Sequence, residues 1–517
     1  MAPRGNQHQI GLDVSLGQGG EARPLDDTPF RLAVLGDFSG RASRGILSTG
    51  DQIAAQRPVQ VDRDDLDAVI AALAPELHLA IGGPESPRIA VRFRSIDDFH
   101  PDQLIDRVPL LREMGSLRAR LANPKTFAEA AASLARNPDQ LPARPPARPN
   151  SSPEGEEFRV HHPSDGAGLL DAILGGPDGD AETPHAESGP DLHALIQKML
   201  RPHLIPRPDP RQADLLAEVE AALSAALRAV LHHPDFLALE AAWRGVDRLV
   251  RRVDTSSMLQ IHLIDLSSAE LRLDLTNSSV ENPGGVARLF KESSADQPWS
   301  LFTGLFTFGP DDEDLKQLGR LAALGQSLGA PWISGASPAL VGASSLLESA
   351  DPHDWHPKPA PYWGALRHSV SARWLGLALP RYLVRLPYGR ATESCERMPF
   401  EEWGESSTHG DYCWGNPALL VAELHAVAFA EHGWSMKGSI GVEVDGLPLH
   451  LQGADGATPV AEVLLTVKAA ERIQEWGVMA LASLKDQEAA RFGRLQSVAE
   501  PVAALAGRWG GGGAAGQ

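Results

Sequence analysis

HHPDFLALEAAWRGVDRLVRRV, residues 232–253, is the stretch on which the reading of this chain turns. Phe236, Leu239, Trp243, Val246 and Val250 recur three and four apart, so they share one face of an amphipathic helix. Pro234 suits a first helical position, and Asp235 places an acid where the helix dipole is positive. Arg248, Arg251 and Arg252 stand at the other end, where cations are favoured. Gly245, next but one to Trp243, costs roughly 1 kcal/mol against Ala inside a helix. Its presence predicts that another backbone packs closely there. His232 and His233 point to different sides of a helix, so they read as cap or surface rather than as a metal chelate.

Working outward towards the start, residues 137–190 are rich in Pro, Ser and charge and read as a semi-extended linker. Inside it lies one apolar island, GLLDAILGG, with Leu169, Leu170, Ile173 and Leu174 at helical spacing. So short a helix is unstable alone and must dock on a partner or on the chain's own core. Before the linker, PFRLAVLGDFSGR (29–41) reads as a buried strand running into a tight loop over 36–40. The loop has neither a Walker Lys-Ser/Thr nor G-x-G-x-x-G, so it is a structural turn rather than a phosphate cradle. Leu66, Val69, Ile70 and Leu73 form the face of a helix opened by Asp62–Asp65. Leu77, Leu79 and Ile81, then Ile89, Val91 and Phe93, alternate as a strand pair. Helices follow to about residue 122. Earliest of all, Ile10, Leu12, Val14 and Leu16 alternate with polar or small residues. That lone strand must pair with a distant part of its own domain or with another molecule.

Working outward towards the end, MLQIHLIDLSSAELRLDL (258–275) reads as strand, turn and then strand or helix. The stretch 298–342 gives an aromatic strand, a loop, a helix opened by Asp311, Asp312, Glu313 and Asp314, and a second buried strand. This β-helix-β order predicts a mixed or parallel sheet. Acids at that helix start are expected for the dipole, not for a metal. Arg373, Arg381 and Arg385, set among Trp and Tyr, are expected to pair with acids inside the fold or between subunits. GRWGGGGAAGQ (507–517) reads as a flexible tail.

At 517 residues the chain is long enough for two to four cores. A formal net charge of -20, with no basic runs interleaved with aromatics, argues against nucleic acid and anionic membranes as partners. Two cysteines, Cys395 and Cys413, make neither a disulfide framework nor a zinc site. With no secretory h-region and no apolar run approaching ~18 residues, a cytoplasmic location is expected. Ser337 in GASPA lacks the second glycine of a nucleophile elbow, and Asp37 stands without a partner carboxylate. No enzyme activity, cofactor or metal is expected.

These segments also carry a resemblance. The opening stretch, PWISGASP (331–338), LPRYLVRLPYGR (379–390), WGN (414–416) and FAEHGW (429–434) resemble, in order, the large subunit of the type VI secretion contractile sheath. PFRLAVLGDFSGR, PVQVDRDDLDAVIAALAPEL and SIDDFHPDQLIDRVPLLREM resemble the small subunit over roughly residues 8–125. The resemblance implies a mixed α/β fold, a small-subunit-like unit (1–125) packed against a larger mixed-sheet domain (191–502). A Pro-rich linker (126–190) with a short helix at 168–175 joins them, and 503–517 form the tail. It implies a core or interface built on Phe236, Trp243, Arg244, Gly245, Trp374, Arg381, Tyr388, Trp414 and Trp434. It makes residues 10–16 an intersubunit strand arm and offers the 168–175 helix to a recycling AAA+ unfoldase. The implied partners are other sheath subunits, an inner tube protein and a baseplate. The family's large subunits continue beyond the last match, so the expectation is either a fused sheath protomer or an accessory protein that binds sheath without polymerising alone.

Overall fold

In a computed structural model the chain is described over residues 24–81, 86–136 and 209–510, except 280, 296, 350, 358–360 and 452–456. The arm with Ile10, Leu12, Val14 and Leu16, and the island with Leu169, Leu170, Ile173 and Leu174, lie outside the described residues. The chain divides into a unit of Met1–Ser116 with Leu223–Gln517 and a second unit of Leu117–Ala222.

The front part supplies strands β1 (Phe30–Gly36), β2 (Val59–Val61), β3 (Glu76–Ala80) and β4 (Arg88–Arg92). The back part supplies β5 (Leu259–Asp265), β6 (Leu301–Phe308), β7 (Trp332–Ala336), β8 (Leu375–Leu379), β9 (Tyr382–Leu383) and β10 (Trp414–Gly415). It continues with β11 (Glu443–Asp445), β12 (His450–Leu451), β13 (Ala457–Thr458), β14 (Met479–Ser483) and β15 (Ala489–Phe492). One sheet runs β11-β15-β14-β8-β7-β6-β1-β5-β2. Front and back therefore meet through a common sheet, a closer union than one unit packed against another.

β1 sits between two back strands. It pairs in parallel with β5 from Phe30↔Leu259 to Gly36↔Asp265, and with β6 from Leu32↔Leu301 to Leu35↔Gly304. Its composition explains the place: all seven residues of FRLAVLG are buried, as a strand covered on both faces requires. Alternate residues serve opposite faces. Ala33 and Leu35 enter a core shared with Phe302, Trp332, Leu375 and helices on that side. Phe30 faces Phe429 of the Ala418–His432 helix, at 4.9 Å between ring centroids.

The Pro234–Arg252 helix forms as its periodicity predicts, with Phe236, Leu239, Trp243, Val246 and Val250 all buried. His233 Nδ1 accepts from the Asp235 amide, so this histidine is the cap. A Cβ on Gly245 would collide with Leu419 Cδ1 and approach Tyr382 Oη. The close neighbours are thus side chains, where the sequence predicts a backbone. After β5 the choice between strand and helix falls to the Ser268–Asn277 helix, because Ser267 and Glu270 form a reciprocal capping box.

Two expected irregular regions are shorter than expected. Residues 127–136, at the head of the expected linker, form the Phe127–Arg136 helix. Within the second unit Phe127, Ala130 and Leu134 pack with Leu121 and Val219, an i, i+3, i+7 stripe that needs a partner and finds one. Residues 503–510, at the head of the expected tail, are packed too: Leu505, Ala506 and Trp509 are buried.

Leu32 is fully buried in β1. Leu32→Ala is expected to cost about 2–5 kcal/mol, read as a lower urea midpoint. An unchanged midpoint would contradict a central β1.

Candidate functional site

The front part joins the back along a seam centred on β1. At the carboxyl end of β1 the chain turns through residues 36–41. The amides of Phe38 and Ser39 donate to Asp265 Oδ1 at 2.9 and 3.0 Å, and Ser39 Oγ donates to Oδ2 at 2.7 Å. Asp37 accepts from the Arg41 and Ala42 amides at 2.6 and 2.8 Å. Carboxylates thus occupy the amides of this glycine-flanked loop, which would otherwise be the groups to cradle a phosphate. Trp243 Nε1 donates to the Phe38 carbonyl at 2.9 Å, and the two rings lie 5.2 Å apart. The buried tryptophan of the opening helix thereby reads the position of the front loop directly.

Arg41 crosses the seam with a bidentate pair to Glu270, Nε–Oε2 2.9 Å and Nη2–Oε1 2.7 Å. Glu270 also accepts from the Ser48 amide at 2.7 Å. Burial pushes the Glu270 carboxyl up, but Arg41 and the amides of Ser267 and Ser48 outweigh it and hold it below the usual range. At the other end of β1, Arg31 lies 4.0 Å over the Trp299 ring and donates to the Ser293 carbonyl at 3.0 Å. Further along, Asp102 receives the Cys395 thiol at 2.7 Å and the amides of Glu396 and Arg397 at 2.9 and 3.0 Å. Burial, then the Asp102 carboxylate, push that thiol up to about 12, so it is held as a neutral donor.

Beside the seam lies a buried ion cluster. Glu240, fully buried on the helix face, accepts from Arg244 Nε at 2.8 Å and Arg385 Nε at 2.7 Å. Arg385 continues to Glu402 through Nη1 at 2.7 Å and Nη2 at 3.0 Å. Arg244 Nη2 donates to Tyr388 Oη at 2.6 Å, and the Tyr388 amide donates to Glu402 at 2.7 Å. Two acids and two arginines balance, as buried charges must. His232 stands 3.5 Å from both Glu402 and Asp411. Burial raises the Glu402 carboxyl, but Arg385, the neighbouring His232 and the Tyr388 amide more than offset it, holding the group down at about 2.

The structure gathers most of the sequence-predicted residues here. Phe236, Trp243, Arg244, Gly245 and Tyr388 surround the cluster or the seam, and Trp414 and Trp434 are buried nearby in the fold. Arg385 finds acids inside the fold. Arg381 pairs with Glu462, Nε–Oε2 3.0 Å, on a half-exposed side chain. Arg373 is exposed, with its carbonyl taken by the Ala506 amide, and Trp374 is half-buried. Glu240 and Glu402 are absent from the sequence-based expectations. Glu240 left a signal: an acid on an apolar helix stripe, four residues before Arg244.

Ser337 Oγ accepts from the Ala339 amide and borders a cavity of about 360 Å³ with Arg381, His409 and Glu462. His409 Nε2 is committed to the Glu462 carbonyl at 2.7 Å. Among the described residues no three His, Cys, Asp or Glu are grouped to hold a metal, and no helix is long and apolar enough to cross a membrane.

Comparison with known proteins matches the back and front parts to two families. Residues 213–499 match the VipB tail sheath N-terminal domain family, and residues 6–141 match the type VI secretion system VipA family. The chain is 31% identical over 307 residues to the type VI secretion system sheath protein TssC1 of Pseudomonas aeruginosa, covering 56% of this chain and 61% of that protein. It is 27% identical over 123 residues to the sheath protein TssB1 of the same organism, covering 23% of this chain and 67% of that protein.

Arg385→Leu takes the arginine from buried Glu402 and leaves Glu240 with Arg244 alone, and is expected to cost about 3–5 kcal/mol in urea denaturation. The pH response has a definite sign. Burial lowers His262 and His425 from 6.5 to about 4. Between those values the unfolded chain binds protons that the folded chain refuses, so stability falls as pH drops through that window. Glu402, lowered from 4.5 to about 2, adds a further loss below pH 4.5. Denaturation midpoints at pH 7, 5 and 3.5 should fall in that order, and His425→Leu should flatten the step from 7 to 5.

Proposed function

The chain belongs to the tail-sheath family of type VI secretion systems, and we propose that it is a sheath protomer carrying both subunit-like parts on one polypeptide. The observation that supports this reading is β1, a strand of the VipA-like part held between β5 and β6 of the VipB-like part. Tethering turns a bimolecular docking into an intramolecular one at a concentration set by the connecting chain. The role is mechanical. Copies assemble around an inner tube in the cytoplasm, and contraction drives the tube and its effectors outward, with no catalytic step and no cofactor. Residues 10–16 serve as the arm to a neighbouring copy, and the 168–175 island offers itself to a recycling unfoldase. A baseplate is the natural site of nucleation.

A second reading is an accessory protein that binds sheath without polymerising alone. The match spans 61% of the TssC1 length. Electron microscopy of the purified chain separates the two. Helical tubes from the chain alone are expected for the protomer. Discrete particles over a wide range of salt, which decorate sheath only when a full-length large subunit is added, would favour the accessory. Particles that ignore sheath in every mixture would sink both.

A further inference from the structure

Residues 503–510 lie beyond the 213–499 match to the sheath family, yet they are built into the larger unit. Their backbone is anchored at each end and in the middle. Ala504 bridges Gln496, the Ala506 amide donates to the Arg373 carbonyl at 2.7 Å, and the Gly510 carbonyl accepts from Lys437 Nζ at 3.2 Å. Leu505 reaches the floor of β8, where a Cβ on Gly376 would stand 3.3 Å from its Cδ1. Arg508 donates to the Leu328 carbonyl at 2.8 Å and to the Trp299 carbonyl at 3.0 Å. The first is one of the carbonyls left open at the end of the Asp312–Leu328 helix, where a cation is also favoured by the dipole.

Trp509 gives the segment its meaning. Phe30, the first residue of β1, is fully buried in an aromatic cage: Phe429 at 4.9 Å, Trp434 at 5.8 Å and Trp509 at 6.4 Å between centroids. Phe429 and Trp434 belong to the matched part and brace each other at 5.1 Å. Trp434 Nε1 also holds the Thr28 carbonyl at 2.8 Å. Trp509 supplies the remaining wall and rests its other side on His425 at 5.0 Å. The position is strategic, because the start of β1 is where the front strand would begin to peel from β5 and β6.

We infer that residues 503–510 are a latch that holds the front strand in the back sheet, and that lifting the latch frees the amino end of β1. An aromatic wall lost at a strand end is felt first as fraying there, before the rest of the sheet opens. The latch acts by positioning β1 and needs no contact with any neighbouring copy. Its failure is therefore separable from failure of the sheath reading, which is tested by tube formation.

The test compares the full chain with a variant lacking residues 503–517, with Trp509→Ala, and with Lys437→Ala as a milder cut of the same segment. Amide exchange is followed across 28–36. Expected is a tenfold or greater loss of protection over 28–33 in the deletion and in Trp509→Ala, a smaller loss in Lys437→Ala, and unchanged exchange over 479–483 in β14. Protection over 28–33 left unchanged by both major variants would overturn the latch. So would an equal loss over 479–483, which would make 503–510 a general stabiliser. Should the deletion fail to fold, Trp509→Phe decides: partial protection is expected of an aromatic wall, and full wild-type insensitivity of 28–33 to both Trp509 variants would overturn it.

Discussion

Every backbone N–H and C=O of a strand in the middle of a sheet must be matched on two sides at once. In this protein that demand falls on β1, and both matching strands come from the other half of the sequence. Neither half could satisfy its own backbone without the other. β6 would show a bare edge, β5 would lose both its neighbours, β1 and β2, and β1 would be an apolar strand with no sheet, the kind of element that aggregates when exposed. The seam is therefore a condition of folding as well as a site of association. A covalent tether suits it, since the costly encounter of two incomplete partners becomes a local search.

Around that strand the side chains are arranged to fix register and orientation. Apolar residues such as Leu32 and Val34 favour burial but not one particular alignment, because the effect is non-directional. Direction comes from polar groups that fit in one way. Asp265 accepts two amides and a hydroxyl from the loop after β1, Arg41 is bidentate to Glu270, and Trp243 donates to Phe38. The buried Glu240, Arg244, Arg385 and Glu402 do the same for the opening helix and the 382–415 segment. Such a cluster adds little net stability over an apolar one, yet removing a single member is costly. That asymmetry fixes the helix in place, since small displacements are resisted by charges that have nowhere else to go.

Much of this was legible from local pattern. The apolar stripe of residues 236–250, the buried strand at 30–35, the β3–β4 hairpin and the β6-helix-β7 order each rest on spacing within one segment, and the structure holds them all. The short helix at 127–136 and the packed 503–510 segment were not legible. Both are poor in large apolar residues, and each is ordered by a surface that another part of the chain supplies. The neighbour of Gly245 was read as a backbone, because glycine reports that something is close without saying what.

The division between the two levels follows from the range of the forces involved. Periodicity, capping residues and turn chemistry act within a few positions. The residues alone therefore determined where most of the helices and strands run, which faces are apolar, and that the two halves resemble two sheath subunits. Which strand stands beside which is set by pairing across more than two hundred residues, and no local pattern encodes it. Only the tertiary structure could place β1 between β5 and β6, draw Glu240 and Glu402 onto one arginine, and close the cage around Phe30 with Trp509.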